Sequence, residues 1–132
     1  MLHRINELLK TQESFAFETT LSSRSYRPKI VEAQQNGYAV TLLFFWLQNI
    51  ELARERVKTR VQEGGHNIEP EVIKRRYYKG IQNLFEIYLP IVDDALIFDN
   101  SQGIHRLIAR KTSPNGLEVV CKDTFNLLLG TK

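Results

Sequence analysis

The stretch Tyr38-Ala-Val-Thr-Leu-Leu-Phe-Phe-Trp-Leu47 carries no charge and is crowded with branched and aromatic side chains. Its length is far too short to cross a bilayer, so it predicts a strand buried on both faces. Just upstream, residues 25–36 suit a helix, with Gly37 as the left-handed stop. Downstream, Asn49 suits the cap of a helix over residues 50–63, whose buried stripe would be Leu52, Ala53, Val57 and Val61. Helix, buried strand and helix in succession imply an α/β protein built on a parallel sheet, with functional groups at the carboxyl ends of its strands.

The same reading extends outward in both directions. Leu2, Ile5, Leu8 and Leu9 mark one face of a short helix over residues 1–10, and residues 14–20 form a strand ending in polar side chains. Gly64-Gly65 closes the helix that follows Asn49. Pro70 suits the first turn of a long helix in which Ile73, Tyr77, Ile81, Leu84 and Tyr88 recur at three- and four-residue steps up to Pro90. Residues 95–98 predict another buried strand, residues 104–110 and 117–121 an edge hairpin around Pro114-Asn115-Gly116, and residues 123–129 a final helix. No repeat or Gly/Ser/Pro-rich linker divides the 132 residues, so one domain over residues 1–132 is expected.

Composition narrows the function classes. About a quarter of the residues are charged, net charge is +3, and no apolar run is long enough for a membrane span. Residues 1–10 lack the layout of a secretory signal, so a cytoplasmic protein is expected. The single cysteine, Cys121, has no partner for a disulfide or a metal site and is expected in the core. Basic residues crowd the centre: Arg54, Arg56, Lys58, Arg60, Lys74, Arg75, Arg76 and Lys79. They form either an anion-binding surface or, paired with interspersed glutamates, an ordinary solvated helix face.

Two constellations could carry chemistry. At the end of the first strand, Glu18, Thr19 and Thr20 offer a carboxylate and hydroxyls for magnesium, a phosphate or a sugar hydroxyl, followed by Ser22, Ser23 and Arg24. The structural alternative makes Glu18 a local hydrogen-bond acceptor and the serines helix caps. The second is Arg60-Val-Gln-Glu-Gly-Gly-His66 with Ile73-Lys-Arg-Arg-Tyr77, two arginine groups across a glycine hinge. Mobile arginines of this kind can stabilise the charge that phosphoryl transfer places on equatorial oxygens. The structural alternative pairs Arg60 with Glu63 and leaves Arg75 and Arg76 as exposed charges.

Taken together, Phe15-Ala-Phe-Glu-Thr-Thr-Leu-Ser-Ser-Arg-Ser-Tyr26, Gly37-Tyr-Ala-Val-Thr-Leu-Leu-Phe-Phe45, the two arginine blocks and Asp94-Ala-Leu-Ile-Phe-Asp-Asn-Ser101 resemble consecutive blocks of the zeta-toxin family of P-loop ATPases and kinases. The resemblance covers nearly the whole chain. It implies an incomplete three-layer P-loop kinase fold with a helical arginine lid near residues 54–80. It also implies ATP and Mg2+ as cofactors, and phosphoryl transfer to a small molecule such as a UDP-linked amino sugar. By position, Glu18 and Thr20 resemble the substrate-contacting acid and hydroxyl, and Arg60 with Arg75 or Arg76 the lid arginines. Arg24 falls in the segment of a substrate-binding arginine, at a different offset from Thr20.

The sequence departs from that family in one respect. Its seven glycines, at positions 37, 64, 65, 80, 103, 116 and 130, include no Gly-x-x-x-x-Gly-Lys-Ser/Thr, and the aspartate expected as catalytic base is also missing. Without backbone amides and a loop lysine to hold the β- and γ-phosphates, little or no kinase activity is expected of residues 1–132 alone. The expected readings are a chain truncated at its amino end, a half completed by a separately encoded amino-terminal piece, or a binding protein that keeps the lid. An antitoxin partner and self-association fit the first two. A different class of function, RNA or polyanion binding with Tyr77 and Tyr78 as stacking surfaces, is the alternative.

Overall fold

The computed structural model describes residues 4, 5, 7, 14–16, 19, 21–113 and 115–131. Four helices and four strands follow in the order α1 (Tyr26–Gln35), β1 (Thr41–Trp46), α2 (Ile50–Gln62), α3 (Pro70–Asn83), β2 (Asp94–Asp99), β3 (Arg106–Thr112), β4 (Gly116–Val119) and α4 (Lys122–Thr131). The sheet order is β1-β2-β3-β4. Only β1 and β2 are parallel, in register from Thr41 opposite Asp94 to Trp46 opposite Asp99; β3 and β4 add an antiparallel hairpin on the far edge. The fold is α/β, as the alternation of elements predicts.

Local chemistry explains most boundaries. Asn49 caps α2 by accepting the Leu52 N–H at 3.0 Å, and Pro70 occupies the first turn of α3, where its missing N–H leaves nothing unpaired. The stripe Ile73, Tyr77, Ile81, Leu84 and Tyr88 then turns steadily inward, with its last three members buried. After Asn83 the helix widens into a π-helical turn, Leu84–Tyr88, closed by Leu89 N–H donating to the Leu84 carbonyl at 2.8 Å. Pro90 ends it. From β3, Lys111 Nζ donates to the carbonyls of Leu89 and Val92 at 2.5 and 2.7 Å, a cation on the last unpaired carbonyls of a helix end.

The core lies on one face of the sheet. Trp46, Ala95, Ile97, Ile108 and Ala109 meet Ile81, Leu84 and Tyr88, and α4 adds Phe125 and Leu128. A register shift at Ile97/Phe98 lets the consecutive residues Ile108 and Ala109 both bury.

Several expectations change. The strand predicted over residues 14–20 is not one in Ser14, Phe15, Ala16 or Thr19; Phe15 instead packs edge-on against Tyr38 with ring centroids 5.9 Å apart. The remainder of that segment lies outside the described residues, as does most of the helix predicted over 1–10, of which Arg4, Ile5 and Glu7 are helical. β1 is not buried on both faces: Leu43 is 52% and Phe45 44% exposed. The reason is topological, because β1 is the outermost strand and no described element covers those two positions. The stripe on α2 is half-buried and Val61 is exposed, since α2 flanks the sheet instead of entering the core. Cys121 is exposed, not in the core: it starts α4, its carbonyl accepting the Phe125 N–H and its Sγ lying 3.2 Å from Thr124 Oγ1.

Candidate functional site

Along β1 runs a cleft of about 1040 Å³, floored by the strand and walled by α1, α2 and α3. Arg56 and Arg60 from α2 and Arg76 from α3 line it, with Lys29 from α1. No described aspartate or glutamate does. Arg60 and Arg76 form no ion pair among the described residues, so the pairing of Arg60 with Glu63 does not occur there; Arg56 reaches only the Asn100 carbonyl, at 3.4 Å. The local carboxylate Glu51 is engaged by Arg54 instead, at 2.6 Å. Among the described residues the guanidinium groups of Arg60 and Arg76 have no ion pair and no acid lines the cleft, an arrangement whose field favours an anion.

The geometry separates the two lid candidates on α3. Arg76 faces the cleft, one residue before Tyr77, whose hydroxyl donates to the Leu47 carbonyl at 2.5 Å and so pins this turn of the helix to the end of β1. Burial pushes the Tyr77 phenol above its ordinary pKa, with the Trp46 indole working in the opposite direction, so it stays a neutral donor. Arg75, rotated about a third of a turn from Arg76, is exposed and outside the lining. Tyr78 packs edge-on against Tyr77, so only one of the two rings is open to solvent.

At Gly64 the chain takes a φ of +95°, and Gly65 N–H donates to the Arg60 carbonyl at 2.6 Å. A Cβ on Gly65 would lie 2.8 Å from that carbonyl oxygen. Two glycines therefore stop the chain just past Glu63, one turn beyond Arg60.

Glu18 and Thr20 lie outside the described residues, so their expected roles have no geometry here. Their neighbour Thr19 lines the cleft, and its hydroxyl oxygen accepts the Leu21 N–H at 3.3 Å. Leu21 has a φ of 60°, unusual for a branched residue, yet its side chain is buried. Two buried residues beyond α2 hold it there. Asn83 Nδ2 donates to the Leu21 carbonyl at 2.8 Å, and the Tyr88 hydroxyl donates to the Ser23 carbonyl. Ser23 and Ser25 hydrogen-bond each other and neither caps α1, while Arg24 is exposed and away from the cleft.

The carboxyl ends of β1 and β2 carry groups that motif reading passed over. Asp99 accepts from Gln48 Nε2 at 2.8 Å and from Ser101 through both its hydroxyl, at 2.6 Å, and its N–H, at 3.0 Å. Burial opposes its ionisation, but the bonds from Ser101 and Gln48, with Arg106 nearby, outweigh it and hold the carboxyl below its ordinary value. Next to it Asn100, 8% exposed, lines the cleft with its Oδ1 unpartnered among the described residues. The signal that could have found both was their position directly after a buried strand.

Tested against the cofactors that the resemblance implies, the cleft fits the charge of a polyphosphate. A magnesium-holding cluster of three or more acids, histidines or cysteines is not found among the described residues.

The parallel β1–β2 pair flanked by helices that carry arginines into the cleft defines an α/β protein. The chain belongs to the zeta toxin family, whose model matches residues 3–112. That membership points to a P-loop kinase-like function and, for the family in general, to use of a nucleotide with Mg2+. The chain is also similar to an uncharacterized protein of Haemophilus influenzae, 35% identical over 69 residues. That match covers 52% of this chain and 49% of the relative, so it spans about half the length of each. No solved structure matches significantly. Among the described residues no helix is long and apolar enough to cross a membrane.

Proposed function

We propose that residues 1–132 form the lid and acceptor-side portion of a zeta-toxin-type kinase, active only when a phosphate-binding loop is supplied alongside them. The observation that carries this reading is the convergence of Arg56, Arg60 and Arg76, none of them in an ion pair among the described residues, on one cleft along β1 that no described acid lines. When bound, Mg-ATP supplies the phosphoryl group, and the acceptor is a small molecule of the nucleotide-sugar class. Arg60 and Arg76 place positive charge where equatorial phosphoryl oxygens would gather it, and Gly64-Gly65 lets the end of α2 close over the cleft and expel water. By the family resemblance, Glu18 and Thr20 meet the acceptor hydroxyls, next to the Leu21 and Ser23 carbonyls that Asn83 and Tyr88 hold. The missing loop is encoded separately or precedes this segment, and an antitoxin would act by covering the same cleft.

Binding of a fluorescent ATP analogue to the purified chain tests this. Affinity no tighter than about the millimolar range is expected, because arginines alone do not orient a triphosphate; micromolar affinity would sink the claim of inactivity. Salt-dependent RNA binding with no response to ATP would replace the kinase reading by the polyanion-binding alternative. Half-burial of Tyr77 and its bond to Leu47 argue against that outcome, since a stacking platform needs its rings free.

A further inference from the structure

One helix fixes two parts of the cleft wall. Arg76 and Asn83 lie on α3 two turns apart, about 10 Å along its axis, so they leave the helix on the same side. Arg76 lines the cleft. Asn83 is fully buried, and its Nδ2 donates to the carbonyl of Leu21, 62 residues away in the chain. Between them Tyr77 bonds to Leu47, so this stretch of helix is tied both to the end of β1 and to the turn at Leu21. That turn is itself part of the wall: Thr19 and Leu21 line the cleft, and the Thr19 hydroxyl oxygen accepts the Leu21 N–H.

Leu21 does not adopt its conformation unaided. A φ of 60° is unfavourable for a side chain with a Cβ and persists only where neighbours over-determine it. Two donors from one stretch of chain do so here, Asn83 on the Leu21 carbonyl and, at the end of the π-helical turn, the Tyr88 hydroxyl on the Ser23 carbonyl. Asn83 is held at a cost, since its Oδ1 is buried without a partner among the described residues. A leucine fills nearly the same space without that cost, so packing alone does not account for an amide at this position.

We infer that Asn83 is a positioning residue of the cleft: it holds the turn at Leu21 in register with Arg76, so that turn and arginine receive one anionic ligand together. Asn83 does not line the cleft and acts through the Leu21 carbonyl. Ligand and turn are then linked, because a ligand that binds better to the held turn also helps to hold it. The inference rests on the reading of the cleft as a phosphate-handling site and adds to it the element that sets the spacing.

The test uses the whole purified chain and inorganic pyrophosphate, with each variant first shown to be folded by circular dichroism. Asn83→Leu keeps a branched, uncharged outline and removes the donor; it should weaken pyrophosphate binding about 3- to 10-fold in isothermal titration. Tyr88→Phe removes only the hydroxyl on Ser23 and should weaken binding in the same direction; if Asn83→Leu does not fold, this variant carries the test. Ile108→Val, which deletes one buried methylene on β3, should leave the affinity unchanged although it too lowers stability. In the wild-type chain, saturating pyrophosphate should slow hydrogen exchange of the Leu21 amide about 3- to 10-fold, and Asn83→Leu should remove that protection. Wild-type affinity in the folded Asn83→Leu and Tyr88→Phe variants would overturn the proposal and leave the anion site standing. So would an equal loss in Ile108→Val, which would trace the effect to stability alone. Absence of pyrophosphate binding by the wild-type chain would instead remove the site itself, and with it the reading under which Asn83 serves it.

Discussion

At the residue scale, the arginines differ by where their helices aim them and not by type. Arg60→Ala and Arg76→Ala should each weaken binding of inorganic pyrophosphate to the chain by about 3- to 10-fold in low salt, whereas Arg75→Ala, with the same change in net charge, should not. Isothermal titration distinguishes these outcomes; an equal loss in all three would mean that the cleft acts only through diffuse charge. Asn83 answers a different question. Its amide is buried against the carbonyl of a residue with positive φ, so Asn83→Ala strands that carbonyl and should destabilise the fold by about 1–3 kcal/mol in urea unfolding. Asp99 links stability to pH. Its folded pKa lies below the ordinary carboxylate value of 3.8, so its contribution is fully present above that value and is lost as the pH falls through the lower folded value. Urea midpoints measured downward from about pH 6 should therefore show an acid-limb loss that Asp99→Asn flattens.

At the element scale, the end of α2 and the outer face of β1 are the places where small changes should be felt differently. Gly64→Ala forces a side chain into a φ of +95° with open space around it, and should cost about 1 kcal/mol, a few degrees of melting temperature. Gly65→Ala meets the Arg60 carbonyl at 2.8 Å and must shift the last turn of α2, so it should also weaken pyrophosphate binding. A melting-temperature loss for Gly65→Ala with unchanged binding would show that Arg60 does not depend on this turn. On β1, Leu43→Thr puts a β-branched, more polar residue at a position 52% exposed; it should change stability within about 0.5 kcal/mol while reducing any self-association seen by light scattering. The π-helical turn carries Leu84 and Tyr88, both buried, directly after Asn83, which reaches Leu21.

At the scale of the whole molecule, local chemistry made much legible. The Asn49 cap, Pro70 at a first turn, Gly37 with φ of +89° and the three- and four-residue recurrence from Ile73 to Tyr88 each depend on neighbours a few residues away, and each appears where the sequence places it. The order of strands and helices settled the α/β class in the same way. What escaped were properties set by long-range partners. The apolar run of β1 promises burial on both faces, but a strand is buried by what lies beside it, and β1 is at the edge. Cys121 looked like a core residue by composition and is instead exposed at the start of α4. Arg75 and Arg76 are indistinguishable in sequence; the packing of α3, with Ile81 and Leu84 buried and Tyr77 bonded to Leu47, 30 residues away, sets Arg76 and not Arg75 in the cleft lining. Likewise Asp99 and Asn100 became site residues only when the fold set them beside Gln48 and Arg56. The sequence by itself determined most elements from residue 25 onward, the Asn49 cap and the family, because periodicity and capping act over one or two turns. Tertiary structure alone decided which arginines share a cleft and that β1 is the outermost of the described strands, because direction and burial depend on residues far apart in the chain.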